Sequence, residues 1–409
     1  MQKFLRYTLT LTIILKVFNV WAQEDSTQYK INERLKAIET DLKTNPNLKK
    51  EYVDLTFYYS QVFRNMADSQ RTQGFKLSGY IDAYLAHYSD QLKVGEFQKF
   101  PTSSPISNAF SLNMAMVSAS YQNEKARGVV TLHGGDIAAC AWSSKYNFIQ
   151  EANAGLKLFK NTWLDAGFFR THLGFESIQP RENIGTSIAL TTYYEPYYLS
   201  GAKLTHYLNK KISLQVSAFN GFNTYVAINK KKAFGFSAIY EPYSHLIATY
   251  NILISDNSSD TIQYNQQRIY QNFYIAFKTK RLNVGFEANF GIQQNTGLVD
   301  STKSAMMYSM LLAVKYKFKQ GKYAVYGRVE VFNDKDEILT GPVINQYHTL
   351  VGLHAFGATV GMEYKPINNA FLRLESRYLH LWNNENIFYT NGTYTNVRLE
   401  VIGSLGVWF

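Results

Sequence analysis

Two hydrophobic patterns divide the chain. Between residues 23 and 73 apolar side chains recur at helical spacing: Ile31, Leu35, Ile38 and Leu42 share one face, and beyond Asn45-Pro46-Asn47 so do Leu48, Tyr52, Leu55, Tyr59, Val62 and Met66. This predicts two short helices with a break. From Phe75 the period falls to two. Phe75, Leu77, Ile81, Ala83 and Leu85 alternate with Lys76, Ser78, Tyr80, Asp82 and Tyr84, and Phe286, Ala288, Phe290 and Ile292 with Glu287, Asn289 and Gly291. At the far end Val397, Leu399, Val401, Gly403, Leu405, Val407 and Phe409 alternate with Arg398, Glu400, Ile402, Ser404, Gly406 and Trp408. A strand sends successive side chains to opposite faces, so each segment has one oily face and one wetter face.

The alternating segments number about sixteen: roughly 75–88, 108–121, 127–134, 148–158, 162–172, 192–207, 211–220, 232–241, 244–254, 269–279, 281–292, 303–318, 322–333, 349–364, 369–381 and 394–409. Their connections also alternate. Short turns rich in Lys, Asn or Gly lie at 159–162, 208–211, 278–281, 318–322 and 365–369, and longer polar connections at 134–148, 173–191, 255–268, 333–348 and 382–393. Short and long loops in turn are the two-ended asymmetry of an outer-membrane barrel. The expected fold is therefore all-β: a transmembrane antiparallel up-and-down β-barrel of about sixteen strands, behind a short helical N-terminal segment. At about ten residues per tilted strand, about 160 residues suffice to cross the bilayer. A closed barrel must also pair its last strand with its first, since no edge can face lipid.

Composition separates lipid from a soluble core. Tyr (31), Phe (27) and Trp (5) make up 15% of the 409 residues, and no stretch after the N-terminus reaches the roughly 18 apolar residues of a transmembrane helix. Tyr121, Phe159, Trp163, Tyr207, Tyr240, Tyr243, Phe277, Phe318, Tyr323, Tyr364, Phe371, Trp408 and Phe409 gather near the short turns, where an interfacial aromatic girdle is expected. A soluble sandwich would scatter them through its core.

Residues 1–22 read as a secretory signal peptide: Lys3 and Arg6, an apolar run from Tyr7 to Leu15, and Val20-Trp21-Ala22 before an acidic start. Residues 23–73 then form a helical periplasmic leader or partial plug, and residues 74–409 the barrel. The formal charge is +11, and the basic surplus beyond the leader belongs to residues 74–409. For an exported protein it points to lipopolysaccharide phosphates and anionic solutes rather than nucleic acid. The single cysteine, Cys140, cannot form an internal disulfide.

One segment carries a resemblance. LGFESIQPREN (173–183), TTYYEPYYLSGAKLTHYL (191–208) and ISLQVSAFNGFN (212–223), through Gly174-Phe175-Glu176, Pro180, Glu182-Asn183, Glu195-Pro196-Tyr197-Tyr198, Gly201 and Asn220-Gly221, are similar to the OmpL-like β-barrel outer-membrane porin family of the Bacteroidota. The likeness covers roughly residues 75–409 and implies an outer-membrane pore. Val407, Trp408 and Phe409, with Leu405 and Val401, resemble the C-terminal assembly signal read by the barrel-assembly machinery.

If the apolar faces meet lipid, the opposite faces line a lumen. Arg328 and Glu330, then Arg373, Glu375 and Arg377, then Arg398 and Glu400 share the polar faces of their strands, and closure would set the last five beside Asp82 in one wall. Such charges either order water and filter solutes across a pore or form a structural cross-strand ladder; the two roles are compatible. Arg170, His172, Glu176, Arg181 and Glu182 on the connection after the fifth strand would form a constriction if that loop folds inward, and a solvated surface if it folds outward. The eight histidines are scattered, without His-Glu-x-x-His, a cysteine cluster or Gly-x-Ser-x-Gly. The expectation is a non-enzymatic channel for small hydrophilic solutes or ions, with no metal and no cofactor, surrounded by outer-membrane lipid and lipopolysaccharide and compatible with a homo-oligomer. Two alternatives stand beside it: a plugged barrel serving as surface anchor or adhesin, and a barrel-embedded hydrolase.

Overall fold

The computed structural model describes residues 74–90, 96–98, 102–256, 258–260, 265–341, 343–382 and 385–409. The signal peptide and the two leader helices expected from the sequence lie outside the described residues.

The strands run in order as β1 (Gly74–Tyr88), β2 (Phe110–Gln122), β3 (Ala126–Gly134), β4 (Ile149–Phe159), β5 (Thr162–Arg170), β6 (Tyr198–Tyr207), β7 (Ile212–Phe219), β8 (Ala233–Tyr243), β9 (Leu246–Ser255), β10 (Arg268–Lys278), β11 (Leu282–Gln293), β12 (Ala305–Phe318), β13 (Tyr323–Asp334), β14 (Val343–Ile344), β15 (Leu350–Val351), β16 (Leu353–Tyr364), β17 (Ala370–Leu381), β18 (Phe388–Thr390), β19 (Thr393–Thr395) and β20 (Val397–Trp408). Sixteen of them close into one antiparallel barrel in sequence order. The other four form two small hairpins, β14 with β15 and β18 with β19, in long connections. Among the described residues two short α-helices also sit in connections: α1 (Asp136–Ala141) and α2 (Leu190–Tyr194).

The period-two pattern sorts the faces. On β12, Met306, Tyr308, Met310, Leu312, Val314 and Tyr316 are exposed while Ala305, Met307, Ser309, Leu311, Ala313 and Lys315 are buried. On β20 the exposed residues are Leu399, Val401, Leu405 and Val407, and Arg398, Glu400, Ile402 and Ser404 are buried. An exposed oily belt over a polar interior is the reverse of a soluble domain and suits lipid outside.

The short turns have local chemical causes. Asn123 Oδ1 accepts the N–H groups of Lys125 (2.8 Å) and Ala126 (2.7 Å), and Asn209 Oδ1 those of Lys211 (2.8 Å) and Ile212 (3.0 Å). An asparagine that mimics a backbone turn in this way needs few residues to reverse the chain.

Closure follows the expected route. β1 pairs with β20 from Tyr80↔Trp408 to Tyr88↔Glu400. The seam extends to the last residue: Gly79 N–H donates to Phe409 O (3.1 Å) and Phe409 N–H to Gly79 O (3.2 Å). The Phe409 ring covers Gly79 so closely that a Cβ there would stand 2.4 Å from it.

Two expectations need correction. The sixth strand begins at Tyr198, not 192, because Leu190–Tyr194 coils into α2 inside the preceding connection. Trp163, Phe371, Tyr207 and Trp408 do not join the aromatic girdle: Tyr207 shares the lumen face of Lys203 and Thr205, and Trp408 packs with Tyr80 and Phe371. Trp163 and Phe371 are buried on lumen faces, where Arg127 lies 4.5 Å over the Trp163 ring and Arg373 4.2 Å over Phe371. Nearness to a turn placed them at the right height, but strand parity sends them inward.

Candidate functional site: a loop folded against the lumen wall

The connection between β5 and β6, residues 171–197, turns into the barrel. Leu173, Ile178, Ile184, Ile188, Ala189 and Leu190 are all buried, and Phe175 packs near Ile239, Ile247, Tyr274 and Ala276 of β8, β9 and β10. An inward loop must still satisfy its backbone polar groups. Here the wall strands supply the partners, through the charged residues that sequence parity placed on the lumen side.

Arg373 on β17 donates to three loop carbonyls, of Pro180 (2.8 Å), Gly185 (2.6 Å) and Asn183 (3.3 Å), and its Nε donates to Glu363 on β16 (2.7 Å). Lys315 on β12 donates to the same Glu363 oxygen (2.7 Å). Glu375 accepts the N–H groups of Thr186 (2.7 Å) and Ser187 (3.0 Å). Gly185 permits this approach: a Cβ there would lie 2.7 Å from Glu375 Oε2. Glu330 on β13 accepts Leu190 N–H (2.7 Å) and Arg377 Nη2 (2.6 Å). Arg328 reaches Glu176 in the loop (2.9 Å) and Ser187 O (2.7 Å), while Glu176 also accepts Ala189 N–H (2.6 Å).

Further along the wall the charges pair with one another. Arg377 lies 3.6 Å from Glu400, and Arg398 lies 3.5 Å from Glu400 and 3.0 Å from Asp90. Asp82 on β1 accepts Asn113 Nδ2 (2.7 Å). All eight wall residues expected from the sequence thus stand on the lumen side, and Arg328, Glu330, Arg373, Glu375, Arg377, Arg398, Glu400 and Asp82 are each nearly excluded from solvent. The five loop residues lie inside as well, but do not form one cluster. Glu176 meets the wall, whereas Arg170 pairs with Glu182 (2.6 Å) within the loop's own base, Arg181 donates to Gln179 (2.9 Å), and the His172 ring stacks at 6.0 Å from Phe219. Burial, then the Lys203 ammonium, pushes the His172 imidazole down to about 3, so it is neutral at working pH.

A third contact holds the far end of the loop. Tyr270 on β10 donates to Glu195 Oε1 (2.6 Å), and Glu287 on β11 accepts Phe175 N–H (2.9 Å). Burial, reinforced by the nearby Glu287 and Glu176 carboxylates, holds the Glu195 carboxyl well above its ordinary range. Sequence reasoning gave no site role to Lys315, Glu363, Glu287, Glu195 or Tyr270, although Glu287 stood on a wetter strand face and Glu195 in the run that carries the family resemblance. Parity alone could have placed Lys315, Glu363 and Glu287 on the lumen side. The pairing of Glu195 with Tyr270 had no local signal, because the two are 75 residues apart in the chain.

Comparison with known proteins fits this architecture. The profile of the family described as "Putative beta-barrel porin-2, OmpL-like" matches residues 74–409. The chain belongs to this family. It is a β-barrel of the bacterial outer membrane, of the porin class. Solved structures share the fold at low identity. The anion-selective porin from Comamonas acidovorans superposes with a TM-score of 0.53 at 9% identity, over 82% of this chain and 99% of that one. OprB of Pseudomonas putida gives 0.55 at 10%, over 85% and 96%. The outer-membrane channel DcaP of Acinetobacter baumannii gives 0.53 at 11%, over 82% and 97%. Among curated proteins none matches the chain. The family extends across the whole described barrel, including the inward loop.

Proposed function

We propose that this porin passes small hydrophilic solutes and ions by passive diffusion, with residues 171–197 as its constriction and no enzymatic activity of its own. The observation that carries this reading is the docked loop, fixed at several separated points to β11, β13 and β17. A loop so fixed narrows a lumen by a constant amount, so selection is by size and by the fixed charge beside the path. Arg328, Glu330, Arg373 and Glu375 act mainly as its dock, and Arg377, Arg398, Glu400 and Asp82 continue the dock as a cross-strand ladder. Lipid and lipopolysaccharide surround the oily belt, Val407, Trp408 and Phe409 present the strand recognised during barrel assembly, and a homo-oligomer is compatible with this barrel.

The test is single-channel recording of the refolded protein without its signal peptide, with and without residues 23–73. Stable steps that scale with salt are expected. Conductance only after truncation would make the leader a plug, and silence from both folded forms would overturn the diffusion reading in favour of an anchor.

A further inference from the structure

The wall opposite the dock carries a lysine, Lys203, that among the described residues has no carboxylate at ion-pair distance, though Asp165 and Glu151 act on it from further off. A single row of paired residues crosses β3 to β7 on the lumen side: Arg127, Gly155, Asp165, Lys203 and Ser217. Arg127 reaches across Gly155 to grip Asp165 with two hydrogen bonds, Nε to Oδ1 (2.6 Å) and Nη2 to Oδ2 (2.5 Å). The glycine is required, since a Cβ there would stand 2.0 Å from Asp165 Oδ1. A bidentate pair of this kind is strong and commits both groups to each other.

Lys203 follows in the row with no such partner. It is 6% exposed, its ammonium lies 3.9 Å from the centre of the Phe169 ring, and among the described residues no carboxylate stands within ion-pair distance. The ring offers a cation–π contact but no counter-charge. On its other flank Ser217 Oγ, Gln215 Nε2 and His172 Nε2 are buried without hydrogen-bond partners. A buried ammonium without a direct ion pair is costly, and the more distant Asp165 and Glu151 carboxylates offset that cost only in part, so a small anion would be welcome here. On the same side of the lumen, Ser118, Ser120, Val129, Asn153 and Tyr207 of β2, β3, β4 and β6 are half-buried, whereas most facing residues of β11 to β20 are closed off.

We infer that Lys203, with Ser217, Gln215 and His172 beside it, is a transient binding site for small anions on the permeation path, and that it sets the channel's charge preference. The chemistry suits a halide or a carboxylate: one cation, a hydroxyl, an amide N–H and a neutral imidazole, with the neighbouring Arg127 already held by Asp165. A weak single-charge site is what conduction requires, because a tight one would block.

This inference rests on the diffusion reading, so its test needs one measurement that does not depend on conduction. Chloride-35 NMR line broadening by the refolded protein in detergent, compared between wild type and Lys203→Gln, reads anion exchange at the site. The broadening should fall in Lys203→Gln and stay at wild-type size in Lys335→Gln, a lysine of the β13–β14 connection away from this row. In planar bilayers under a salt gradient, Lys203→Glu should shift the reversal potential toward cations, with the anion-to-cation permeability ratio falling severalfold. Broadening that depends on Lys203 in a folded but silent barrel would keep the anion site and sink the diffusion reading. Unchanged broadening together with an unchanged reversal potential in conducting, heat-modifiable Lys203 variants would overturn the site.

Discussion

The lumen has two walls built from the same residue types and put to opposite uses. From β12 to β20 each charge meets another charge or the backbone of the inward loop: Glu363 is shared by Lys315 and Arg373, and Glu330 by Arg377, Arg328 and Leu190 N–H. Water hardly reaches them. From β2 to β6 the charges are fewer, Lys203 has no direct ion pair among the described residues, and several lumen positions stay half-buried. The difference teaches that lumen charge is not by itself a filter. A charge that anchors a loop is spent, and only a charge left wanting a partner can act on what passes.

The largest effect should come from breaking the dock. Arg373→Ala removes the donor to three loop carbonyls and strands Glu363 with Lys315, a loss of about 3–5 kcal/mol for one member of a buried ionic network. Unfolding in detergent should shift accordingly, and single-channel traces should become larger or noisier. Traces and stability equal to wild type would mean that the loop is held elsewhere.

Next in size is the opposite wall. Asp165→Asn gives up a charged hydrogen-bond acceptor, worth about 1.5–3 kcal/mol, and frees the Arg127 guanidinium beside Lys203. Here the two walls should diverge: the reversal potential should move further toward anions, while Arg373→Ala leaves its sign alone. A shift of equal size in both variants would erase the distinction between anchoring and filtering charges. Glu375→Gln is milder, since the amide retains one acceptor oxygen for the N–H groups of Thr186 and Ser187. About 1 kcal/mol is expected, visible as faster proteolysis within residues 171–197 of the folded protein.

The smallest effect is a pH dependence. In the unfolded chain Glu195 ionises near its ordinary value of 4.5, whereas in the fold burial and neighbouring carboxylates raise it well above that. The folded state therefore holds the extra proton, and the contribution is complete below 4.5 and is lost as pH rises through the folded value. Loop seating should weaken toward alkaline pH, measured as rising channel noise, and Glu195→Gln should flatten that rise. Noise that grows toward acid instead would reverse the assigned role of Glu195.

Much of this was legible in the sequence, for a reason specific to strands. Period two fixes facing without knowledge of tertiary structure, so Arg328, Glu375 and Arg398 could be placed inside from parity alone. The alternation of short and long connections likewise gave the two ends of the barrel and the strand count. What parity cannot carry is distance along the barrel and across it. Nearness to turns, taken without parity, put Trp163, Tyr207, Phe371 and Trp408 in a girdle, and parity was silent on Glu195 meeting Tyr270. It also could not tell a spent charge from a free one: Arg127 and Lys203 look alike on the page, and Gly155, two strands away from Lys203, decides which of them Asp165 neutralises.

The seam between the first and last strands has a consequence for how the ring finds its size. Antiparallel pairing alone would tolerate a slip of two residues, since facing is preserved. Such a slip would set the Phe409 ring against Leu77 or Ile81, the neighbours of Gly79 on the same face, and both already fill that space. Only Gly79 leaves a vacancy of the right shape. The closing strand is thus keyed as well as paired, and the circumference of the barrel is checked by a single notch.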